Sequence, residues 1–418
     1  MMIDPISRHH LLELSRSTPR LAPVKRTRRD PLRSLLLCGG FLLLASLVHA
    51  QEPAPDPVTP AQVRASITRG VDFLVGYQNK DGSWGGPTRT KGLNIYAPVP
   101  GAHHAFRAGA SGLALSGLID SGDTRPETAA AIEKAAKWAE KDLPDLRRAD
   151  PTTTYNIWGH AYGLRALIRL HEWERNPARK ARYKELAQEQ VGLVNRYADV
   201  NGGWGYLDLF DRLATQQPSG ITTSFSSATV LLAMREGRDK LGLTLNEKVV
   251  TAALDSIKRQ QFPDMTYAYS HSHMMRPRTD INRPAGSLSR SQACNAALRA
   301  LGREGITDEV VTEWADRFLA REGFLSIARK RPRPHDIHFR ISGYFYYYGI
   351  FYFTESVRFL PLEKQKPYAE KLAALILSRQ EKDGSWWDYP LYDYHQPYGT
   401  GYCLMALAWC ESVSRQGS

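Results

Sequence analysis

Gln78-Asn79-Lys80-Asp81-Gly82-Ser83-Trp84, near the start of the chain, is repeated near its end as Gln380-Glu381-Lys382-Asp383-Gly384-Ser385-Trp386. In each copy the spacing predicts a helix that ends at the glutamine, a turn at the Asp-Gly pair, and a tryptophan that packs over the turn. A self-match of this kind, separated by about 300 residues, indicates a repeat architecture. The residues to which we assign this structural role are Gln78, Gly82, Trp84, Gln380, Gly384 and Trp386.

The distance between the two copies sets the length of one repeat. Five repeat steps from Trp84 to Trp386 give a period of about 60 residues. Trp204, in Asn201-Gly202-Gly203-Trp204, falls near the position that this period predicts for the third repeat. We therefore expect Trp204 to have the same structural role.

Helix-like segments alternate with Gly/Pro-rich connections, and the apolar spacing groups them into six pairs. The first helix of each pair is charged on one face, which places it at the perimeter. The second is apolar nearly all round and rich in small residues, such as Ala108 and Gly112, so it belongs inside. The predicted pairs are 62–77 with 105–119, 128–142 with 155–174, 178–197 with 224–235, 247–261 with 288–302, 308–321 with 343–359, and 362–380 with 399–413.

These six pairs predict an all-α fold, because few segments have the character of a strand. Six pairs arranged outer then inner can close into an α/α toroid, an (α/α)6 barrel, which leaves no exposed end. The predicted toroid domain covers residues 62–418. A proline-rich tether at 51–61 precedes it.

Residues 1–50 have the pattern of a secretory signal peptide. A basic stretch precedes the apolar run 34–48, and Ala50 stands before Gln51 at a small-residue cleavage site. An apolar run of about fifteen residues is short for a membrane span of roughly twenty. Arg28-Arg29 also resembles a twin-arginine export signal. We expect an exported protein, periplasmic or extracellular, without a stable membrane span after cleavage; an uncleaved anchor is the alternative.

The charge balance and the cysteine content give no indication of nucleic-acid binding, a disulfide framework or a zinc site. After residue 50 there are 47 Lys and Arg residues against 40 Asp and Glu, a surplus too small to indicate nucleic-acid binding. The three cysteines of this region, Cys294, Cys403 and Cys410, have neither the number nor the spacing of a disulfide framework or a zinc site. No cofactor is expected from the sequence.

Two motifs resemble a known family. Arg69-Gly70-x-x-Phe73-Leu74, followed by Gln78, Gly82 and Trp84, resembles the Gln-Trp repeat of squalene and hopene cyclases. Tyr398-Gly399-Thr400 and the segment 402–407 are similar to the inner-helix opening of those cyclases and of protein prenyltransferase β-subunits. The resemblance is to the terpenoid cyclase and protein prenyltransferase superfamily, and it implies an α/α barrel over most of the chain.

The reactive groups of that superfamily are missing, so the resemblance does not imply its chemistry. The chain has no adjacent pair of aspartates, which excludes the Asp-x-Asp-Asp motif of hopene-type cyclases and the Asp-Asp-x-x-Asp motif of terpene synthases. Gly399 stands where the resemblance to prenyltransferases implies a zinc-binding histidine. The thioester Cys-Gly-Glu-Gln motif of complement-type toroids is also absent.

Histidines and arginines concentrate in the connections from outer to inner helices. In a closed ring these connections share one rim, at the N-terminal ends of the inner helices, where anions are favoured. We expect Asp336, His335 and His338 to supply a base, with metal binding by the two histidines as an alternative and a solvated loop as the plainest interpretation. The substrate-binding candidates are His103, His104, Arg276, Arg340, Tyr347 and His395.

The densest aromatic stretch, 344–353, lies on a predicted inner helix ahead of Glu355. Aromatic side chains that face the ring could stabilise a carbocation or stack on a sugar, although helix packing also explains them. If Glu355 is buried, its acid form is favoured and it becomes a candidate proton donor. A surface position is equally compatible with the sequence.

Three functions fit these observations. The first is a toroid that binds or converts a hydrophobic ligand in a deep aromatic cavity. The second is a polysaccharide lyase or other carbohydrate-active enzyme that binds an acidic saccharide in a groove along the rim. The third is a binding or scaffold protein with a filled centre, and the sequence leaves open whether the protein is an enzyme.

Overall fold

Twelve long α-helices alternate between an outer and an inner layer in the residues covered by the computed structural model, which describes 58–88, 102–146, 156–205, 221–277, 280–282, 284–333 and 341–416. No β-strand is present in these ranges, so the fold is all-α, as predicted. The helices are α1 Pro60–Gly76, α2 Ala102–Asp120, α3 Pro126–Asp142, α4 Asn156–Trp173, α5 Pro177–Arg196, α6 Ser224–Leu241, α7 Glu247–Arg259, α8 Pro284–Ala300, α9 Asp308–Ala320, α10 Tyr346–Val357, α11 Leu362–Ser378 and α12 His395–Arg415.

Local sequence explains where the outer, odd-numbered helices begin. Proline occupies the first turn of α1, α3 and α5, where its fixed φ angle suits a helix and its missing N–H costs no hydrogen bond. Thr59 and Gln62 form a capping box at the start of α1. Asn246 caps α7 by accepting hydrogen bonds from two backbone N–H groups of its first turn.

The inner, even-numbered helices form a closed ring. Each packs against the inner helices before and after it, and α12 packs against α2, while the outer helices cover the seams between them. Neighbouring inner helices run parallel, because contacts advance in the same direction along both: Gly109 faces Trp158 and Gly112 faces Tyr162. The (α/α)6 toroid predicted from six helix pairs is therefore confirmed.

Small residues set the close spacing of this ring. A Cβ atom on Gly112 would lie 2.7 Å from the carbonyl carbon of Tyr162, and one on Gly117 would lie 2.9 Å from the Cα atom of Gly401. Side chains larger than hydrogen would separate the helices at both points. The glycines of the inner helices therefore determine how narrow the ring is.

The repeated turns have one geometry. The indole Nε1–H groups of Trp84, Trp204 and Trp386 each donate to the carbonyl oxygen ten residues earlier, at 2.8 Å in all three cases. All three indoles are fully buried. The backbone N–H of each tryptophan donates to a hydroxyl of the following inner helix, which ties the turn to the ring. These contacts fit the structural role expected for the three tryptophans.

The two glutamine-containing turns also join neighbouring repeats. The side-chain amide of Gln78 donates to the carbonyl oxygen of Ala131 in α3 at 2.8 Å, and that of Gln380 donates to Ser66 in α1 at 2.9 Å. The second bond links the last repeat to the first. Gly82 and Gly384 have positive φ angles and lie against the backbone of these same helices, where a Cβ atom has no room.

A fourth turn of this type, which the sequence pattern does not predict, follows α7. Asp264-Met265-Thr266-Tyr267 takes the place of Asp-Gly-Ser-Trp, with the same aspartate hydrogen bonds to the backbone and hydroxyl two residues later. Met265 occupies the glycine position with a φ angle of 60°. Without Gly or Trp, the segment lacks both of the residues that mark the motif.

The predicted helix bounds differ from the observed ones mainly at the inner helices. Helix α2 begins at Ala102 rather than 105, and α12 begins at His395 rather than 399. Helix α6 continues to Leu241, six residues beyond the predicted end. His103, His104 and His395 therefore lie in the first turns of inner helices rather than in connections.

Replacing Trp386 with Ala is expected to lower the free energy of unfolding by about 3–5 kcal/mol, because a fully buried indole would leave a cavity. The measurement is urea denaturation at neutral pH. Trp173→Ala is the matched control, since Trp173 is half-buried at the end of α4 and should cost clearly less. Equal losses in the two variants would contradict the role assigned to Trp386.

Replacing Gly82 with Ala is expected to destabilise the protein more than replacing Gly122 with Ala. Both glycines have positive φ angles, which cost an L-residue about 1–2 kcal/mol. Only Gly82 adds a clash, with the carbonyl oxygen of Lys134, whereas the space around Gly122 is open. Thermal and urea denaturation of both variants measure the difference, and an equal loss would show that the turn can move away from α3.

Candidate functional site

A closed circuit of aromatic rings surrounds the centre of the toroid at the N-terminal ends of the inner helices; we call it the aromatic cup. In seven of the eight neighbouring pairs, the two ring centroids are 4.7–6.3 Å apart. In the eighth pair, the Tyr398 hydroxyl lies 3.5 Å from the carbonyl oxygen of Tyr389. Its members, in order around the circuit, are Trp158, Phe225, Phe345, Tyr344, Tyr389, Tyr398, Tyr402 and Tyr162.

The cup has a floor of tyrosine and three half-exposed walls. Tyr348 lies inside the circuit in contact with Trp158, Phe345 and Tyr402, and its ring centroid is 4.3 Å from that of Tyr352. Tyr348 and Tyr352 are buried. The half-exposed members are Trp158, Tyr344 and Tyr398, which come from three different inner-helix N-termini.

One wall of the cup contacts a buried carboxylate. The Tyr398 hydroxyl donates to Asp388 Oδ1 at 2.6 Å, and the backbone N–H of Tyr347, in the first turn of α10, donates to Asp388 Oδ2 at 3.0 Å. Asp388 is completely buried. Burial raises the pKa of the Asp388 carboxyl to about 6, although the two hydrogen bonds and Arg329 act in the opposite direction.

A second polar group lies behind the opposite wall. Arg290 in α8 is fully buried, with its guanidinium 5.4 Å from the ring of Tyr269 and 6.0 Å from that of Phe345. Tyr269 in turn contacts Phe225 and His273. Burial, together with the positive charge of Arg290, lowers the pKa of His273, so this imidazole is neutral at pH 7.

Below the floor, a network of ion pairs fills the ring. Arg165 pairs with Glu236 at 3.2 Å and with Glu355 at 2.8 Å, and Arg169 pairs with Asp120 at 2.9 Å and with Glu236 at 3.1 Å. Although burial raises the pKa of Glu236, the two arginines outweigh it and lower that pKa to about 2. These charges neutralise one another in the interior, which indicates a structural role.

Glu355 belongs to this network, which corrects its expected role as a proton donor. Burial favours the acid form, as the sequence analysis assumed, but Arg165 and Arg358 outweigh it and lower the pKa of Glu355. A carboxyl that is ionised at neutral pH cannot donate a proton there. Glu355 also lies in α10 beyond Tyr352, the residue that packs beneath the floor residue Tyr348.

Two of the predicted substrate-binding residues lie close together. His103 Nδ1 is 3.0 Å from the hydroxyl of Tyr394, and its ring meets Tyr392 edge-on at 4.8 Å. His395 Nδ1 is 2.5 Å from the carbonyl oxygen of the same Tyr392, which has a φ angle of 47°. The two histidines therefore flank one strained residue beside the cup, where Tyr398 packs against the Tyr392 and Tyr394 cluster.

The other described candidates do not join them. His104 turns outward, with Nε2 3.2 Å from the carbonyl oxygen of Asp142 in α3. Arg276 is exposed after the short helix His271–Met274, on the side of His273. Tyr347 is completely buried, and its hydroxyl has no hydrogen-bond partner among the described residues. His335, Asp336, His338 and Arg340 lie outside the described residues, so their predicted roles stay predictions.

Sequence reasoning missed Asp388, Arg165 and Arg290. Asp388 lies two residues after Trp386, and the sequence pattern indicates only a structural role for this turn. Arg165 and Arg169 are spaced four residues apart in an otherwise apolar helix, a signal that buried charges need partners. Arg290 is one of two arginines in α8 and stands among small residues, and nothing in the sequence shows that it faces the ring.

No group of three or more His, Cys, Asp or Glu side chains is arranged to hold a metal ion within the described residues. None of the helices that the structure describes is both long and apolar enough to cross a bilayer.

Comparison with known proteins supports the fold. No protein-family model matches the sequence, and no curated protein matches it. Among solved structures, the chain is similar to cellobiose 2-epimerase from Spirochaeta thermophila, with a TM-score of 0.53, 14% identity, and coverage of 85% of this chain and 98% of that one. It is also similar to a family 76 glycoside hydrolase from a bovine Bacteroides thetaiotaomicron strain, with a TM-score of 0.50, 11% identity, and coverage of 85% and 78%.

The type II terpene cyclase MstE from Scytonema aligns with a TM-score of 0.48 and 14% identity, over 85% of this chain and 100% of that one. Identities this low show the fold alone. The all-α toroid is therefore shared with the epimerase and the family 76 glycoside hydrolase, and the choice among functions depends on the residues of the site.

Replacing Arg165 with Met is expected to lower the free energy of unfolding at pH 7 by about 3–5 kcal/mol, because two partly buried carboxylates lose their shared buried cation. Arg182→Met is the control, since Arg182 forms only exposed ion pairs and should change stability by about 0.5 kcal/mol or less. Urea denaturation measures both variants.

The same variant has an expected pH dependence. The folded-state pKa values of Glu236 and Glu355 lie below their ordinary value of 4.5, so their contribution to stability is present above pH 4.5 and is lost as pH falls towards about 2. The stability difference between the native protein and Arg165→Met should therefore shrink as pH falls. A difference that stays constant from pH 7 to pH 3 would contradict the assignment.

Proposed function

We propose that the protein binds a saccharide in the aromatic cup. The observation that carries this proposal is the circuit of aromatic rings at the inner-helix N-termini, with Trp158, Tyr344 and Tyr398 half-exposed. Ligand sites in proteins are typically concave and lined by aromatic side chains with a few polar groups. Tyrosine and tryptophan combine an apolar face with a polar edge, which suits the alternating C–H and hydroxyl faces of a sugar.

The polar atoms of the cup favour a saccharide over a hydrocarbon. The hydroxyls of Tyr162 and Tyr402 meet within the wall, and Tyr348 donates from the floor to the carbonyl oxygen of Phe225. The hydroxyl of Tyr398 is a further polar group of the cup, and it is hydrogen-bonded to the Asp388 carboxylate. A deep apolar cavity would need the space that Tyr348 and Tyr352 occupy.

A saccharide is also consistent with the location expected from the leader and with proteins of the same fold. We propose that the protein acts outside the cytoplasm, where glycans are accessible substrates. A cellobiose 2-epimerase and a family 76 glycoside hydrolase share the toroid, so this fold accommodates carbohydrate-active proteins. Their low identity to this chain transfers no residue role.

A hydrophobic ligand is the second candidate. The aromatic lining that suits a sugar would also accept an isoprenoid, and the repeat motifs around Trp84 and Trp386 resemble those of squalene and hopene cyclases. The two candidates differ in the ligand that binds, so one set of binding measurements separates them.

We expect cellobiose or an oligogalacturonate to bind the full-length protein, and Trp158→Ala to weaken that binding at least about tenfold, which corresponds to about 1.4 kcal/mol. Removing the indole takes away one half-exposed wall of the cup. Isothermal titration calorimetry measures the affinity. Trp173→Ala is the matched control, because Trp173 is half-buried at the opposite end of the same helix and should leave the affinity unchanged.

Squalene and farnesol in detergent serve as the competing ligands. Binding of either lipid with no binding of the two saccharides would replace the proposal by the second candidate. Saccharide binding that survives Trp158→Ala intact would place the site elsewhere on the molecule.

A further inference from the structure

We propose that Tyr398 and Asp388 form a proton-transfer pair that acts on the saccharide in the aromatic cup, with Tyr398 as the catalytic residue and Asp388 as the positioning residue that takes up its proton. This inference rests on the proposed saccharide-binding function. It adds a reaction to that function, since binding alone requires neither group to change its protonation.

The geometry of the pair carries the inference. Tyr398 is half-exposed in the wall of the cup, with its ring 6.3 Å from that of Tyr402. Its hydroxyl donates to Asp388 Oδ1 at 2.6 Å, within the range of a strong O–H···O⁻ hydrogen bond. The pair therefore joins a half-exposed side chain in the wall of the cup to a fully buried carboxylate.

Asp388 differs from the two partly buried glutamates near the centre of the ring. Glu236 and Glu355 form salt bridges with buried arginine, which stabilises their charge. The Asp388 carboxylate forms no salt bridge within the described part of the chain, and it accepts hydrogen bonds from the Tyr398 hydroxyl and from the backbone N–H of Tyr347. A carboxylate held in this way keeps an appreciable affinity for a proton.

The surroundings of Asp388 show why its proton affinity is high. The pKa of its carboxyl is raised to about 6 by burial, and Arg329 is the cation that opposes this rise. A group that titrates near neutral pH can accept a proton and release it again, which is the property of an acid–base residue. The titratable or charged groups that interact with it are Tyr347 of α10, Tyr398, Tyr402 and Cys403 of α12, and Arg329 of the segment before 334.

The step is a proton relay without redox change. A lone pair of the Tyr398 oxygen takes a proton from a substrate carbon, while the phenolic proton of Tyr398 moves to the ionised carboxylate of Asp388. The electron pair of the broken C–H bond stays on the substrate as an enolate, so the negative charge passes from Asp388 to the substrate. Reversal returns a proton to the same carbon.

This chemistry defines the class of substrate. The C–H bond must be acidic enough for a tyrosine to act on it, which requires an adjacent carbonyl or carboxyl carbon. Such a bond is present in a reducing-end sugar in its open form and in a uronate. Cellobiose represents the first and an oligogalacturonate the second.

The test follows exchange of substrate carbon-bound hydrogen for deuterium in D2O by proton NMR, with the full-length protein and each of the two probes. We expect exchange with at least one probe, and a fall of at least about 100-fold in Tyr398→Phe with affinity within about threefold. Exchange in the native protein should rise with pH through about 6, as Asp388 becomes ionised. Asp388→Asn should remove that rise.

Tyr368→Phe is the matched control. Tyr368 in α11 also donates to an aspartate, Asp316 Oδ1, at 2.8 Å, but it lies in the outer layer. Loss of this Tyr–Asp bond should leave the exchange rate and its pH profile unchanged. Thermal denaturation checks that all three variants are folded. If Tyr398→Phe does not fold, the pH profile of exchange in Asp388→Asn tests the proton-transfer pair instead.

The outcomes separate this inference from the proposed function. If neither probe binds, the proposed function fails and the inference fails with it. If a probe binds but the native protein catalyses no exchange, saccharide binding stands and the proton-transfer pair is overturned. If Tyr398→Phe loses affinity and exchange in equal measure, Tyr398 serves binding only, which also overturns the inference.

Discussion

The hydrogen bond from the Gln380 side chain to the Ser66 carbonyl oxygen joins the last repeat to the first, and the rest of the molecule depends on that closure. Six parallel inner helices share one rim only if the ring is complete. Gly384 makes the bond possible, because a side chain at this turn would meet the backbone of Arg69. The same turn carries Trp386 and ends two residues before Asp388, so closure and the candidate site are built from one segment.

A narrow ring has a consequence for where a ligand can bind. Glycines such as Gly112 and Gly117 let the inner helices approach closely, and the space that remains is filled by tyrosines and ion pairs. The half-exposed aromatic side chains Trp158, Tyr344 and Tyr398 lie at the N-terminal rim, above the buried Tyr348 and Tyr352. The cup owes its shape to rings from several helices, since Trp158, Phe225 and Tyr398 lie on α4, α6 and α12.

Much of the fold could be predicted from the sequence, because helix pairs at a fixed period leave a signal in apolar spacing and in the Gln-Gly-Trp turns. The fourth turn could not be predicted, because Met265 stands in place of the glycine, with a positive φ angle, and Tyr267 stands in place of the tryptophan. The site was harder to predict. Spacing along a helix does not reveal which charged residue faces the centre. The sequence makes Glu355 a candidate proton donor if it is buried, but it cannot show that Arg165, 190 residues away, holds the carboxyl ionised.

Because the inner helices are parallel, their dipoles are negative at one end of the ring and positive at the other, so carboxylates at the two ends need different partners. Glu236 and Glu355 lie near the C-terminal ends of α6 and α10, where the helix dipoles are negative, and each requires a buried arginine. Asp388 lies at the positive end of α10 and accepts the Tyr347 N–H, so its charge is tolerated without a salt bridge to arginine. The dipoles thus permit a carboxylate at the N-terminal rim that is not locked in the ionised state. A ring of parallel helices therefore confines pairs like Tyr398 and Asp388 to the rim that the cup occupies.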